Sequence, residues 1–481
     1  MLQIVMDRGV FSDYEIEKPI KDTAMPTPKG SIQREKLHRG LKERNIQLIA
    51  LGGAIGVGLF LGSGVAIRTA GPALLLSYLF GGLIIYCVMR ALGEIAADYP
   101  LAGSFSAYAG KLIGPRAGFV TGWTYWFLWV ITGMAEITAV GVYCAFWWPE
   151  LPQWIPALAA LACMTAVNLT AVKLFGAIES WFALIKIVTI VVMIAAGLGI
   201  ILFGLGRGGE PAGIANLYAL EGGFMPHGFS GVMLAMTMVM FSFLGVEMIG
   251  VTAGEAANPS QAIPSAIGKV LWRILVFYVG ALFVIMCIYP WNEIGDKGSP
   301  FVLTFRQLGI DKAAAIINFV VLTAALSSCN SGLFSTGRML YTLSLQGQAP
   351  KRLGVTNARK VPAAAVICSS LCMLIGVLLN YLLPEKVFLM LASIATFPAL
   401  WIWGTIVVLQ ICFRRSRTPQ QIAALKYPML FYPYANWFAL AGLIFVAAML
   451  YVREETRIAM ITGPAWILLL MLTYKFTTGR K

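Results

Sequence analysis

Apolar residues in this chain come in blocks of about 20, the length a helix needs to cross roughly 30 Å of hydrocarbon. The blocks fall at 46–66, 72–92, 118–146, 154–173, 181–205 and 230–253, then at 272–290, 313–345, 362–382, 387–412, 430–451 and 458–476. Charged side chains are nearly absent within them and gather in the segments between. The pattern predicts an all-α membrane protein of about twelve transmembrane helices. Blocks 118–146 and 313–345 are too long for one upright crossing, so tilted helices are expected there. Trp123, Trp126, Trp147, Trp148, Trp154, Tyr289 and Trp291 sit near block ends, where amphipathic rings reach headgroup depth. The polar insertions 205–229 and 291–312 are too small to fold alone.

Two blocks carry a feature that lipid penalises. The first reads Gly52-Gly53-Ala54-Ile55-Gly56-Val57-Gly58, and the sixth reads Phe241-Ser242-Phe243-Leu244-Gly245-Val246-Glu247. Glycine costs a helix about 1 kcal/mol per position, and unwound backbone is tolerated at membrane depth only where it lines a cavity or binds something. Close packing through small residues is the bland explanation. The placement argues otherwise: the first block opens the chain and the sixth opens the next group of five, as in inverted-repeat transporters with a midplane site. The expected organisation is a tail over 1–45, a first repeat over 46–205, a second over 206–412, and two further helices over 413–481. The tail carries Pro19, Pro26 and Pro28 and has no run resembling a cleavable signal.

Broken helices can grip both ends of a zwitterion. A half-helix starting near Gly53 to Gly58 would offer free N–H groups and a positive dipole end to a carboxylate. A break at Phe241 to Gly245 would leave carbonyl oxygens for an ammonium. Three ionisable residues lie deep in blocks: Glu136, Lys186 and Glu247. Each is costly in hydrocarbon unless paired, protonated or solvated, so each is a functional candidate; a structural ion pair with Lys186 is the competing explanation. A lysine that gains and loses a proton could replace a sodium ion as driving cation. Glu136 could share that role or hold the substrate amine. Glu94, four residues after Arg90, reads as an inner gate or a surface pair.

Composition and charge narrow the class. Of 481 residues, 59% are apolar and 12% charged, with a mean hydropathy of +0.78; soluble domains carry about 25% charge. The net charge of +14 would suggest nucleic acid in a soluble domain. Here roughly three quarters of the Lys and Arg fall in segments assigned to one side, the positive-inside asymmetry. Both termini are therefore expected in the cytoplasm, and no nucleic-acid partner is expected. The eight cysteines lie in apolar segments without a CxxC, so neither metal, cofactor nor disulfide framework is indicated. His38 and His227 fall outside the blocks. Gly204-Leu205-Gly206-Arg207-Gly208-Gly209 follows a span and opens no helix, so it is no phosphate loop. No nucleophile–base pair is present, which argues against an enzyme.

Several stretches resemble bacterial amino acid permeases of the amino acid–polyamine–organocation superfamily. Ile46 to Phe60 is similar to their first-helix signature, and Gly245-Val-Glu-Met-Ile-Gly-Val-Thr-Ala-Gly-Glu255 with Asn258-Pro259 to their sixth. Trp181 to Ile187 resembles the fifth helix; Ser299-Pro-Phe-Val302 and Ala325 to Ser331 resemble the approach to helix 8 and its interior. The likeness runs from about Leu37 to Lys475. It implies a five-plus-five inverted-repeat core plus two helices, importing an amino acid with protons across the inner membrane by alternating access. By this likeness Ala54, Ile55, Gly56, Val57 and Gly58 bind the substrate carboxylate, and Phe241, Ser242, Phe243 and Gly245 form the opposing break with its carbonyls or a gate. Lys186 takes the proton-coupling position and Glu136 the acidic position of helix 3. Glu94, Glu247 and Ser328 are supporting or gating candidates. Val57 stands where many relatives have Thr or Ser, which removes a hydroxyl from the carboxylate site.

The chain looks like threonine/serine and proline permeases, and Ile131-Thr-Gly-Met-Ala-Glu136 resembles the D-serine, D-alanine and glycine transporter. No spare deep carboxylate is reserved for a cationic side chain, so a small neutral substrate is favoured over an aromatic one. The expected partners are the amino acid, protons and membrane lipids, with a monomer sufficient for transport. An ion channel would need a continuous pore of repeated rings, and a nutrient sensor would need a signalling domain; both remain alternatives to a transporter.

Overall fold

The computed structural model describes residues 55–101, 104–170, 172–205, 208–252, 259–294, 298–307 and 311–478. They belong to one compact unit, Arg39–Lys481. The tail 1–45, the opening of the first span through Ala54, and the motif residues 253–258 lie outside the described residues.

The first span begins, among the described residues, at an extended Gly56 (φ −127°, ψ −160°), then α1 Val57–Phe60 and α2 Gly62–Ala70. The chain turns at Gly71, whose φ of +61° is a conformation that side-chain-bearing residues avoid. Pro72 suits the first turn after it, and α3 Leu74–Asp98 runs back. There follow α4 Ser104–Leu112, α5 Pro115–Cys144, α6 Trp154–Asn168 and α7 Val172–Phe203. The sixth span is α8 Gly228–Ser242, an irregular stretch, and α9 Met248–Thr252. Next come α10 Pro259–Gly268, α11 Val270–Arg273, a π-helical turn Ile274–Gly280 and α12 Ala281–Ile288. The remainder is α13 Pro300–Gln307, α14 Asp311–Leu345, α15 Ala363–Leu382, α16 Val387–Arg415, α17 Pro419–Ala423, α18 Tyr434–Val452 and α19 Ile458–Thr478.

No strand occurs among the described residues, so the chain is all-α as the block pattern predicts. Eight runs among them are long and apolar enough to cross a membrane, and three shorter apolar helices accompany them. Boundaries shift in instructive ways. In the first span the described residues open on an extended Gly56, and a helix runs from Val57. The fifth span's helix starts at Val172, within the end of the fourth block and ahead of the 181 expected from hydropathy. The seventh is interrupted by the π turn, which leaves no trace in hydropathy.

The exterior is lipid-like. Val192 on α7, Ile375 and Leu378 on α15 and Leu472 on α19 are more than half exposed, a distribution stable only in an apolar solvent. Inside, α5 and α14 make the most extensive helix pair. Polar side chains clasp their neighbours: Asn168 Nδ2 on α6 donates to Asn330 Oδ1 on α14 at 2.8 Å. Asn380 Nδ2 on α15 donates to Thr138 Oγ1 on α5 at 2.8 Å, and its Oδ1 accepts from Gln153 at 2.6 Å. Where hydrocarbon supplies no hydrophobic drive between helices, packing and such bonds hold them together.

Candidate functional site

The two interrupted spans meet. A Cβ on Gly58 would overlap the Ser242 backbone, so α1 and α8 touch main chain to main chain at that crossing. Beside it lies a small cavity of about 10 Å³, room for about one water. Gly56 and Gly58 line one side, and Phe241, Ser242 and Leu244 the other. Trp129, Thr132 and Glu136 of α5 and Ser328 of α14 complete it.

Glu136 joins the α5 wall to the first break. Its carboxyl is hydrogen-bonded by the Val57 backbone and the Ser328 side chain. A Cβ on Gly56 would stand 2.9 Å from Glu136 Oε1 and 3.3 Å from Ser328 Oγ, so only glycine leaves this approach open. Glu136 Oε2 is buried without a hydrogen-bond donor among the described residues. Lys186, fully buried on α7, acts on Glu136 electrostatically. The Gly56 carbonyl closes the first turn, accepting from Leu59 and Phe60 at 3.2 and 3.3 Å.

The second break is more ordered than its sequence suggests. Phe241 and Phe243 were expected to leave carbonyls free. Instead the Phe241 carbonyl accepts from Leu244 N–H at 3.2 Å, and that of Phe243 from Val246 N–H at 3.3 Å. Tight turns replace the lost helical bonds because nothing in hydrocarbon can. Gly245, at φ +95°, takes a positive-φ conformation that side-chain-bearing residues avoid. Its N–H donates to Glu247 Oε2 at 3.1 Å, and Trp403 Nε1 on α16 donates to the same oxygen at 3.4 Å. Glu247 thus braces the break from behind; neither it, Gly245 nor Phe243 lines the cavity. Ile55 and Val57 are buried beside it without lining it, and Ala54 lies outside the described residues.

Glu94 is elsewhere, fully buried near the C-terminal end of α3. It meets Arg414 and Gln410 of α16 and the Met429 N–H. Trp129 and Thr132 were not singled out from sequence, although a signal existed: positions 129, 132 and 136 are spaced i, i+3, i+7 and share one face of a helix.

An interrupted sixth span beside a cavity with polar side chains in its wall, in an all-helical membrane protein, suits a membrane transporter. The comparisons agree. A family model described as Amino acid permease matches residues 45–481, and the chain belongs to that family. It is 57% identical over 442 residues to the "Uncharacterized amino acid permease YtnA" of Bacillus subtilis (strain 168), spanning 92% of this chain and 95% of that protein. It is 47% identical over 443 residues to the "Probable threonine/serine transporter YbxG" of the same strain, covering 92% and 95%. With the "Aromatic amino acid transport protein AroP" of Shigella flexneri it shares 44% identity over 447 residues, covering 93% and 97%. The protein is a multi-pass membrane protein of an amino acid transport family.

Proposed function

We propose that this protein imports a small neutral amino acid across the bacterial cytoplasmic membrane by proton symport with alternating access. In this reading the chain crosses about twelve times, has both termini in the cytoplasm, and is built from inverted repeats over 46–205 and 206–412 with two added helices over 413–481. The backbone of Ala54 to Gly58 receives the substrate carboxylate. The ammonium lies between Glu136 Oε2 and the Ser242 carbonyl. Lys186 and Glu136 form the proton-handling pair.

One observation carries the reading: a carboxylate oxygen, Glu136 Oε2, buried at the cavity with no donor among the described residues. An unmet acceptor at that depth is costly, and an α-ammonium is the donor a zwitterion brings. Glu136 serves the amine on this view, so among the described residues no second carboxylate lines the cavity to balance a cationic side chain. Trp129 and Phe241 in the walls and the aromatic substrates named for one relative support a second reading, an aromatic amino acid.

The deciding experiment is uptake into proteoliposomes with an imposed pH gradient, using the full panel of proteinogenic amino acids as competitors. Small neutral competitors should block saturable, gradient-driven uptake. Competition by arginine and lysine alone would overturn the neutral assignment, aromatic competition would select the second reading, and unsaturable conductance would mean a channel.

A further inference from the structure

The cavity wall at Ser242 is held from behind. Tyr278, within the π-helical turn Ile274–Gly280, donates its phenol O–H to the Ser242 carbonyl at 3.1 Å, across 36 residues of sequence. Its ring centroid lies 5.2 Å from that of Phe243 and 5.7 Å from that of Tyr78, and Tyr78 lies 5.7 Å from Phe243. All three rings are buried. Gly58 also leaves no space against the Ser242 backbone. The Ser242 peptide is therefore held by both a glycine and a phenol. The π turn itself costs regular helical bonding, and such turns concentrate at functional positions.

We propose that Tyr278 is a positioning residue for the amine end of the substrate. A carbonyl oxygen has two lone pairs. The phenol takes one and fixes the peptide plane, so that the second faces the cavity, where a substrate N–H can be received. This rests on the zwitterion reading above. Ser242 belongs to the cavity lining, and its carbonyl is the one on α8 that a side chain of the seventh span holds. A phenol that only packed would not need its hydroxyl, whereas here the hydroxyl ends on an atom of the site's wall.

The test compares wild type, Tyr278→Phe and Tyr278→His in proteoliposomes. Each is given the best substrate from the competition panel and that substrate's des-amino analogue. Ligand-induced thermal stabilisation of each purified variant is recorded in parallel. Tyr278→Phe should raise KM for the amino acid about two- to tenfold, the loss of one net hydrogen bond, with maximal rate unchanged. Binding of the des-amino analogue should not move, so discrimination between the two falls by the same factor. Tyr278→His, which keeps a donor, should recover part of it. Equal discrimination in wild type and Tyr278→Phe would overturn the proposal, as would equal weakening of both ligands. Loss of folded protein in both variants would also overturn it, making Tyr278 a packing residue. A wild-type protein that binds both ligands alike removes the amine site, and with it the reading of the previous subsection.

Discussion

Arg414 grips Glu94 with two parallel bonds, Nε to Oε1 at 2.8 Å and Nη2 to Oε2 at 2.6 Å, joining α16 to α3 across 320 residues of sequence. The carboxylate is fully enclosed and the guanidinium nearly so. Gln410 adds a bond of 2.6 Å to Oε1 and is itself met by Asn436 at 2.7 Å. Four residues earlier on α3, Arg90 lies 3.7 Å over the Tyr427 ring and donates to the Pro428 carbonyl. The chain between α17 and α18 is thereby strapped to α3 by two neighbouring side chains. Glu94 is thus a buried pair rather than a surface one, and it does not line the cavity.

Breaking one side of that lock leaves a buried charge unpaired. Arg414→Ala should lower stability by about 3–5 kcal/mol, read as a reduced thermal midpoint in detergent and poor recovery from membranes. Glu94→Leu combined with Arg414→Leu should cost less than either single change. A double variant worse than both singles would show that the pair's charge is itself required.

Gly58→Ala should be far more damaging than its size suggests. The new methyl would overlap Ser242 main chain, which cannot rotate away; overpacking of this kind costs about 1–3 kcal/mol. Gly56→Ala meets instead the ends of two side chains, Glu136 and Ser328. The first variant should lose uptake altogether, and the second should retain some at raised KM. Initial-rate uptake normalised to folded protein separates them.

Replacing Lys186 by Ala should abolish accumulation driven by a pH gradient while leaving exchange of labelled for unlabelled substrate. The reasoning is that exchange needs only the loaded protein to move, whereas accumulation needs a proton to travel with the substrate. Undiminished gradient-driven accumulation would remove Lys186 from the coupling pair.

Glu136→Gln keeps the shape of the side chain but replaces an acceptor oxygen with a donor. Either the Val57 and Ser328 contacts or the cavity-facing position must then be mismatched. Binding should weaken by about 5- to 150-fold, since an unmet buried polar group costs about 1–3 kcal/mol. Equilibrium binding of labelled substrate to purified protein is the measurement.

Trp129→Ala, by removing the largest wall residue on α5, should broaden the set of competitors towards larger neutral amino acids. If the competitor profile keeps its shape, Trp129 does not set the size limit.

The all-helical membrane character and the interruption of the sixth span follow from the chain alone, because hydropathy and glycine content act locally. A run such as 362–382 has no option but a helix in lipid, and Gly245 beside Leu244 announces a turn wherever the rest of the protein lies. The stripe Trp129, Thr132, Glu136 was legible too, being periodic within one helix. What each deep acid does was not. Glu136 and Glu247 look alike in sequence, yet one faces the cavity and the other holds Gly245 and Trp403 behind it. Glu94 could not be matched to Arg414, nor Tyr278 to the Ser242 carbonyl. Those pairings depend on how separate helices are rotated and packed against each other, and local periodicity carries no information about a partner 36 or 320 residues away.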